Sequence, residues 1–473
     1  MKRLVLLATL LAFVLGMAAS AHAVTMKASG QYIIEFLVSD NFDLNEKANT
    51  ASDRNGDFNV FQRFRTQFDF IANENLKGVL ATEIGSTADE QRWGGNNYRF
   101  HDRFNGINVR RAYVDFKIPG TKIANRIGYQ GINLPAAYGG GSLILDDEVA
   151  GVFTTVPVID EVSVVAGYAR LYDYDNTDNP SGTSNSSGDA ATLIVPVKLD
   201  GFKFAPFFMY AYAGGAAVND LATDTSYSNS ARRMIRGLTG PGAPTINGRN
   251  AYWGGTSFEM TYFDPIKVMA DVNYGSASGT HNLDSEDRSG WMFDLAVDYT
   301  GLDFMTPELF FAYTSGEDDK TSNGSERMPM LTARNWGVGS FFFNGDTLIE
   351  GTPNGTTDAR NLGFWAVGLQ LKDISFIEKL KHTFIVMYAQ GTNDKDLVGV
   401  AGGNYYSYGY TLTEKDHIWE VDLNTSYKLY DELTLSFDLG YINNGYDKDV
   451  WASSATRDPA DAYKLSTGIK YEF

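Results

Sequence analysis

Cysteine is absent from all 473 residues, which removes disulfides, thiolate zinc sites and cysteine nucleophiles at once. Histidine is scarce: there are five, and no pair has the His-Glu-x-x-His spacing of a catalytic zinc helix. Positive charge is in deficit, with 39 Lys and Arg against 58 Asp and Glu, so the net charge of −19 argues against a nucleic-acid partner. Beyond Val24 no apolar run approaches the ~20 residues that a membrane-spanning helix needs. The Gly-x-Ser-x-Gly elbow and the Gly-x-x-x-x-Gly-Lys phosphate loop are missing too, so no metal, cofactor or catalytic residue is expected. What the chain does have is 27 Tyr, 30 Phe and 48 Gly, a composition that reads as one large β architecture.

The N-terminus reads as an export signal. Lys2 and Arg3 precede an apolar run from Leu4 to Gly16, and Ala21-His22-Ala23 has the small-x-small pattern of a cleavage site. Residues 1–23 are therefore expected to be a signal peptide, and residues 24–473 the working protein. A short membrane anchor is the alternative, but the run is too short to span.

Alternation with a period of two runs through the remaining chain. Tyr463, Leu465, Thr467, Ile469, Tyr471 and Phe473 share one strand face, with Lys464, Ser466, Gly468, Lys470 and Glu472 on the other. Trp291, Phe293, Leu295, Val297 and Tyr299 likewise turn away from Asp294 and Asp298. Near the start, Arg63, Arg65, Gln67 and Asp69 oppose Phe64, Phe68 and Phe70, while Arg111, Tyr113, Asp115 and Lys117 oppose Ala112, Val114, Phe116 and Ile118. A soluble sandwich would bury the apolar face. A transmembrane barrel inverts this arrangement and turns the apolar face to lipid.

Connection lengths separate the two. Short turns at Pro119-Gly120-Thr121, Asp200-Gly201 and Asp264-Pro265 alternate with long polar stretches such as Ser39 to Asn59, Ser86 to Asn105 and Gly214 to Asn250. Such alternation gives short periplasmic turns and long outer loops. Strand starts are expected near Met26, Val60, Gly78, Ile107, Lys122, Val149, Val162, Ala190, Phe202, Ala251, Lys267, Gly290, Glu308, Arg360, Lys381, Asp416, Leu433 and Asp461. The fold class is therefore all-β, a transmembrane antiparallel barrel of about 18 strands with both ends periplasmic. Sixteen is the alternative, because Trp336 to Phe343 reads equally as strand or loop.

Some motifs carry a resemblance. The ending Leu465-Ser-Thr-Gly-Ile-Lys-Tyr-Glu-Phe473 is similar to the terminal strand of Gram-negative outer-membrane proteins. The run Arg110-Arg-Ala-Tyr-Val-Asp-Phe-Lys-Ile-Pro119, with Arg126-Ile-Gly-Tyr-Gln130, resembles the paired strands before the constriction loop of general porins, although Asp115 stands where those usually carry Gly. The overall pattern most resembles the trimeric porins of sulfate-reducing bacteria. This resemblance implies an outer-membrane location, a homotrimer, contacts with membrane lipid and lipopolysaccharide, and insertion machinery that reads Tyr471 and Phe473. It also implies that residues 131–148 fold inward as a constriction loop.

A constriction works by facing charges of opposite sign, which orient water and favour hydrated solutes. Asp146, Asp147 and Glu148 are the expected acidic side, and Arg63, Arg65, Arg111 and Arg126 the basic wall beside Tyr113, with Arg170 a weaker candidate. The competing reading is that these are solvated acids and arginines paired with Asp69 and Asp115. The function expected is a porin, a water-filled channel for passive diffusion of ions and small polar solutes. The alternatives are a substrate-specific channel for a sugar, peptide or organic acid, with loop aromatics such as Trp93, Tyr138, Tyr406 and Tyr408 as its track, and a membrane-embedded barrel enzyme.

Overall fold

The computed structural model describes residues 24–41, 44, 57–85, 92–93, 106–173, 187–214, 237–238, 248–279, 284–320, 322–331, 339, 362–399, 406, 408–409, 411–452 and 459–473. The expected signal peptide lies outside them, as does Trp336 to Phe343 apart from Gly339. In chain order the strands are β1 (Thr25–Asp40), β2 (Asp57–Asn73), β3 (Leu76–Ile84), β4 (Asn108–Lys117), β5 (Ala124–Asn133), β6 (Asp146–Pro157) and β7 (Ser163–Asp173). They continue as β8 (Ser187–Ile194), β9 (Val197–Leu199), β10 (Phe202–Ala213), β11 (Arg249–Met260), β12 (Ile266–Gly279) and β13 (Arg288–Tyr299). The last are β14 (Thr306–Thr314), β15 (Phe364–Ile377), β16 (Leu380–Gly391), β17 (His417–Tyr430), β18 (Leu433–Gly445) and β19 (Ala462–Glu472).

Apart from β8 and β9, every strand pairs antiparallel with its sequence neighbours, and β1 pairs with both β2 and β19, so the sheet closes. The segments β8 and β9 are one stave, because both pair with β10 and only Val195-Pro196 separates them. Proline lacks the N–H that a ladder needs, and Pro206 sits on the facing strand at the same height, where Val195 N donates to its carbonyl at 2.9 Å. The barrel therefore has 18 staves, not 16. Each expected start falls within three residues of the observed one except Arg360, where the stave begins at Phe364.

The burial pattern excludes a sandwich. On β13 the carboxylate of Asp294 is fully buried, whereas Trp291 is 54% exposed and Tyr299 41%. On β12 Asp271 and Asn273 are buried while Val272 and Tyr274 are exposed. An apolar outside around a charged inside is the pattern of a barrel in lipid. Eight residues separate Trp291 from Tyr299 along β13, or ~27 Å at ~3.4 Å per residue, and strand tilt shortens that to about the ~25 Å apolar band of an outer membrane.

Connections confirm the polarity of the ends. Asp431-Glu432 alone joins β17 to β18, and Glu378-Lys379 joins β15 to β16, whereas the other end carries residues 85–107, 214–248 and 315–363. The chain closes at the short-turn end, where Gly30 and Phe473 exchange backbone hydrogen bonds of 2.9 and 3.1 Å. At the long-loop end Asp416 is fully buried and accepts from Thr413 N (2.7 Å), Thr413 Oγ1 (2.6 Å), Asp447 N (2.8 Å) and Trp451 Nε1 (2.9 Å). Burial pushes its carboxyl above the usual range while those donors pull it back. Asp416→Ala strands these donors at a cost of about 2–4 kcal/mol. Limited proteolysis of the folded barrel should then cut near Trp451, and unchanged protection would show that the loops are pinned elsewhere.

Candidate functional site: a charged lumen crossed by a loop

One cluster of lumen cations stands on β2 to β5. Alternation points Arg63, Arg65, Gln67 and Asp69 of β2 inward, on the same face as buried Phe61. On β4 alternation alone would send Arg110 and Arg111 to opposite faces, but the register slips from Ala81 opposite Arg111 to Thr82 opposite Val109. Arg110 is the extra residue of this bulge, and a bulge re-aims its side chain. Both arginines then meet the same acid: Arg110 lies 2.5 Å and Arg111 3.4 Å from Glu148, while Glu83 joins Arg110 (3.0 Å) to Arg65 (3.3 Å). Lower on the wall Arg126 makes a two-pronged pair with Asp115 (2.7 and 3.0 Å) and lies 4.4 Å over the Tyr113 ring. Lys77 bridges Asp69 (3.2 Å) and Asp115 (3.9 Å).

The opposite wall is acidic and holds a loop. Residues 134–145 connect β5 to β6, and their tip reaches β12, β14 and β15, which lie six to nine staves from β5 around the ring. Ala137 N donates to both carboxylate oxygens of Asp271 (2.8 and 2.9 Å), and Tyr138 N donates to Oδ2 (2.9 Å). The Tyr138 hydroxyl donates to Glu308 (2.9 Å) and accepts from Gln370 (3.1 Å). Burial, with Glu308 beside it, holds that phenol far above its usual range, so it remains a donor. Lys372 completes the cluster through Glu308 (2.5 Å) and Asp298 (2.8 Å).

A second loop lies against the first. Leu331 N, from residues 315–363, donates to Ile144 O (2.9 Å), and Pro329 O accepts from the Trp253 indole of β11 (2.7 Å). Between them lies an apolar core that includes Ile144, Leu145, Met209, Met328, Met330 and Trp253, all inside the barrel. The far wall is therefore dry: side chains of Asp298 and Glu308 are 7% and 2% exposed. The basic wall is wet at Arg126, Arg111 and Lys77, at 41%, 35% and 34%, while Arg65 and Arg110 are at 17% and 18% and Arg63 is buried.

Several expected residues sit elsewhere than the sequence suggested. Asp146, Asp147 and Glu148 are not in a loop: they open β6 and pair with Asn133, Ile132 and Gly131 of β5. Of the three, Glu148 meets the expected Arg111, and Arg110 besides. Asp146 packs against Gly141, whose φ of +136° suits glycine and where a Cβ would collide with the Asp146 carboxylate. Arg126 does not face the acids but is taken by Asp115, in line with the competing reading. Arg170 lies outside the lumen on the face of exposed Tyr168, bonded to Asp173 (2.9 Å) and Asp189 (2.8 Å), because Ala169 between them is the buried residue. Arg110, Glu83, Asp271 and Glu308 were missed as site residues. The bulge hides Arg110, and nothing local distinguishes Asp271 from any other inward acid. Of the loop aromatics, Tyr138 is the tip just described, while Tyr408 packs on Tyr446 and Trp451 (centroids 4.7 and 5.6 Å) as loop core. Among the described residues no group of His, Asp or Glu could hold a metal ion.

These features define a class: a closed 18-stave antiparallel barrel with an ionic interior and an inward loop. Solved structures of such antiparallel barrels resemble the chain over nearly its full length. OccK8 (OprE) of Pseudomonas aeruginosa shares 12% identity, covering 95% of this chain and 98% of its own, with a TM-score of 0.50. OccK11 (OpdR) of the same organism shares 10% over 95% and 96%, and OccAB3 of Acinetobacter baumannii 9% over 94% and 100%, both with TM-scores of 0.50. These neighbours are Gram-negative outer-membrane porins, and at such identities the likeness shows the fold. It gives no support to the narrower resemblance to porins of sulfate-reducing bacteria. No family model and no curated protein matches the chain.

Proposed function

We propose that this protein is an outer-membrane porin of a Gram-negative cell, through which ions and small polar solutes diffuse passively. The observation that carries the reading is the wet basic wall behind an apolar exterior: Arg126, Arg111 and Lys77 keep solvent contact inside a ring whose outer face is suited to lipid. The reading includes export by the signal peptide, insertion guided by Tyr471 and Phe473, surrounding lipid and lipopolysaccharide, and a homotrimer.

Purified protein in planar bilayers should open ohmic steps and admit small sugars to liposomes. Correctly folded protein without conductance would overturn the proposal. A substrate-specific channel is the second reading, favoured by the loop tip that crosses the lumen to Asp271 and Glu308. Saturable block of conductance by one solute selects it, whereas flux set by size alone selects the general porin.

A further inference from the structure

The wall has a window toward its long-loop end. The ladder between β4 and β5 stops at Ala112 and Tyr129, although β4 runs on beside β3 to Asn108. The ladder between β6 and β7 stops at Ala150 and Arg170, although β7 runs on beside β8 to Asp173. Tyr129 and Ala150 are themselves partners, so both seams end at one height. Beyond it Gln130 to Asn133 and Val149 to Asp146 pair only with each other, and among the described residues no backbone hydrogen bond ties them to β4 or β7. Three strand spacings of ~4.8 Å lie between β4 and β7, and the last residues of β7 rise ~10 Å above Arg170, so the window is roughly 14 Å wide and 10 Å tall.

The end of the wall released there leans inward. Gly131 and Glu148 lie two residues beyond exposed Tyr129 and Ala150 and so continue the outward face of β5 and β6. Yet Glu148 meets Arg110 (2.5 Å) and Arg111 (3.4 Å) of β4, and Arg111 stands opposite buried Ala81, on the inner face of its own strand. The outer face of β5 and β6 has therefore slipped behind the inner face of β4. Gly131 permits this, because a Cβ there would lie 2.8 Å from Arg111 Nη2. Ion pairs hold the seam where ladder bonds do not.

We propose that this window is a lateral passage between the lumen and the outer leaflet, used by amphipathic solutes with a carboxylate head and an alkyl tail, and that the pair of Arg111 with Glu148 is its latch. The inference rests on the chain being inserted in an outer membrane with its long loops outside. The sides of the window are apolar where a tail would cross, with Val109 53% and Tyr129 39% exposed and Ile107 exposed beside Val109. Its back carries Arg111, whose Nε is buried without a hydrogen-bond partner and whose contact with Glu148 is long, so a second carboxylate can compete for the guanidinium. A wholly polar solute gains nothing by turning toward hydrocarbon, and a wholly apolar one gains nothing from an ionic lumen. A charged recess that opens sideways suits a solute with both parts.

The test uses the full chain in phosphatidylcholine vesicles and hexadecanoic acid carrying a diazirine at mid-chain. After irradiation, mass spectrometry should find adducts on both sides of the window, at exposed Val109 outside and at buried Tyr113 inside. Each yield should be about tenfold that at Leu369 of β15, which faces lipid elsewhere on the ring and is 37% exposed. Unlabelled hexadecanoate should compete at both positions, whereas hexadecanol should not. Glu148→Gln leaves Arg111 to the probe and should raise the yields about threefold, while Arg111→Gln should lower them about fivefold. A merely loosened wall would move both variants in one direction, and either variant decides alone should the other fail to insert. Yields no higher than at Leu369, adducts at Val109 without any at Tyr113, competition by the alcohol, or a shift opposite to that expected of either variant would overturn the passage. A window closed by a second copy would show as no adduct and overturn it too. Planar-bilayer recordings of the same samples keep the channel reading separate: conductance without adducts removes only the passage, and adducts without conductance remove only the diffusion channel.

Discussion

Replacing Asp271 with Ala is expected to raise single-channel conductance about twofold, because nothing else on the described residues takes the two backbone N–H groups at the loop tip. The three bonds from Ala137 and Tyr138 to this buried carboxylate are charge-assisted, and leaving their donors without a partner costs about 2–4 kcal/mol. That exceeds what the Tyr138 hydroxyl supplies through Glu308 and Gln370, at about 1–2 kcal/mol. The tip should then leave the far wall and the cut-off for neutral sugars should rise. Asp271→Asn should give a smaller change in the same direction, because one of its two acceptors is retained. If the alanine variant folds with conductance and sugar cut-off both unchanged, Asp271 does not set the aperture.

The second large effect is expected in ion selectivity. Glu83 and Glu148 together engage Arg65, Arg110 and Arg111, so the double change Glu83→Gln and Glu148→Gln leaves three guanidinium groups without these carboxylates. Charges in a narrow lumen with low-dielectric walls act on ions far more strongly than loop charges screened over ~8 Å at physiological salt. The anion-to-cation permeability ratio should rise about threefold or more, most at low salt. Asp160→Asn, in a short turn where Asp160 meets Lys122 at 3.7 Å in full solvent, is the control and should shift nothing. A reversal potential equal to that of the unchanged protein would mean that permeating ions do not pass this wall. Glu148 is the member that touches both Arg110 and Arg111, at 2.5 and 3.4 Å.

The fold was legible because its signal is local and repeated. Alternation on β13 or β19 needs only neighbouring residues, and eighteen such segments with alternating connection lengths leave few other architectures. The loop between β5 and β6 was legible only through resemblance, and its extent came out differently. Asp146 to Glu148 read as a loop acid run, but ladder bonds to Gly131–Asn133 draw them into the wall. The far anchor could not be read at all. Asp271 and Glu308 sit in unremarkable alternating strands, and their role depends on a loop more than a hundred residues earlier. Arg110 failed for a subtler reason: one extra residue in β4 changes which face a side chain takes, and no composition rule marks where the slip occurs.

The distance in sequence between the loop tip and its anchor also orders assembly. Ala137 waits for Asp271, 134 residues later, and Tyr138 for Glu308, 170 residues later, so neither bond can form until those strands are made. The seam between β1 and β19 closes only with the last residues of the chain. A chain that lacks the later staves has no wall on which the tip can rest. The final strand therefore seals a cylinder whose loop tip and anchor both lie on earlier staves.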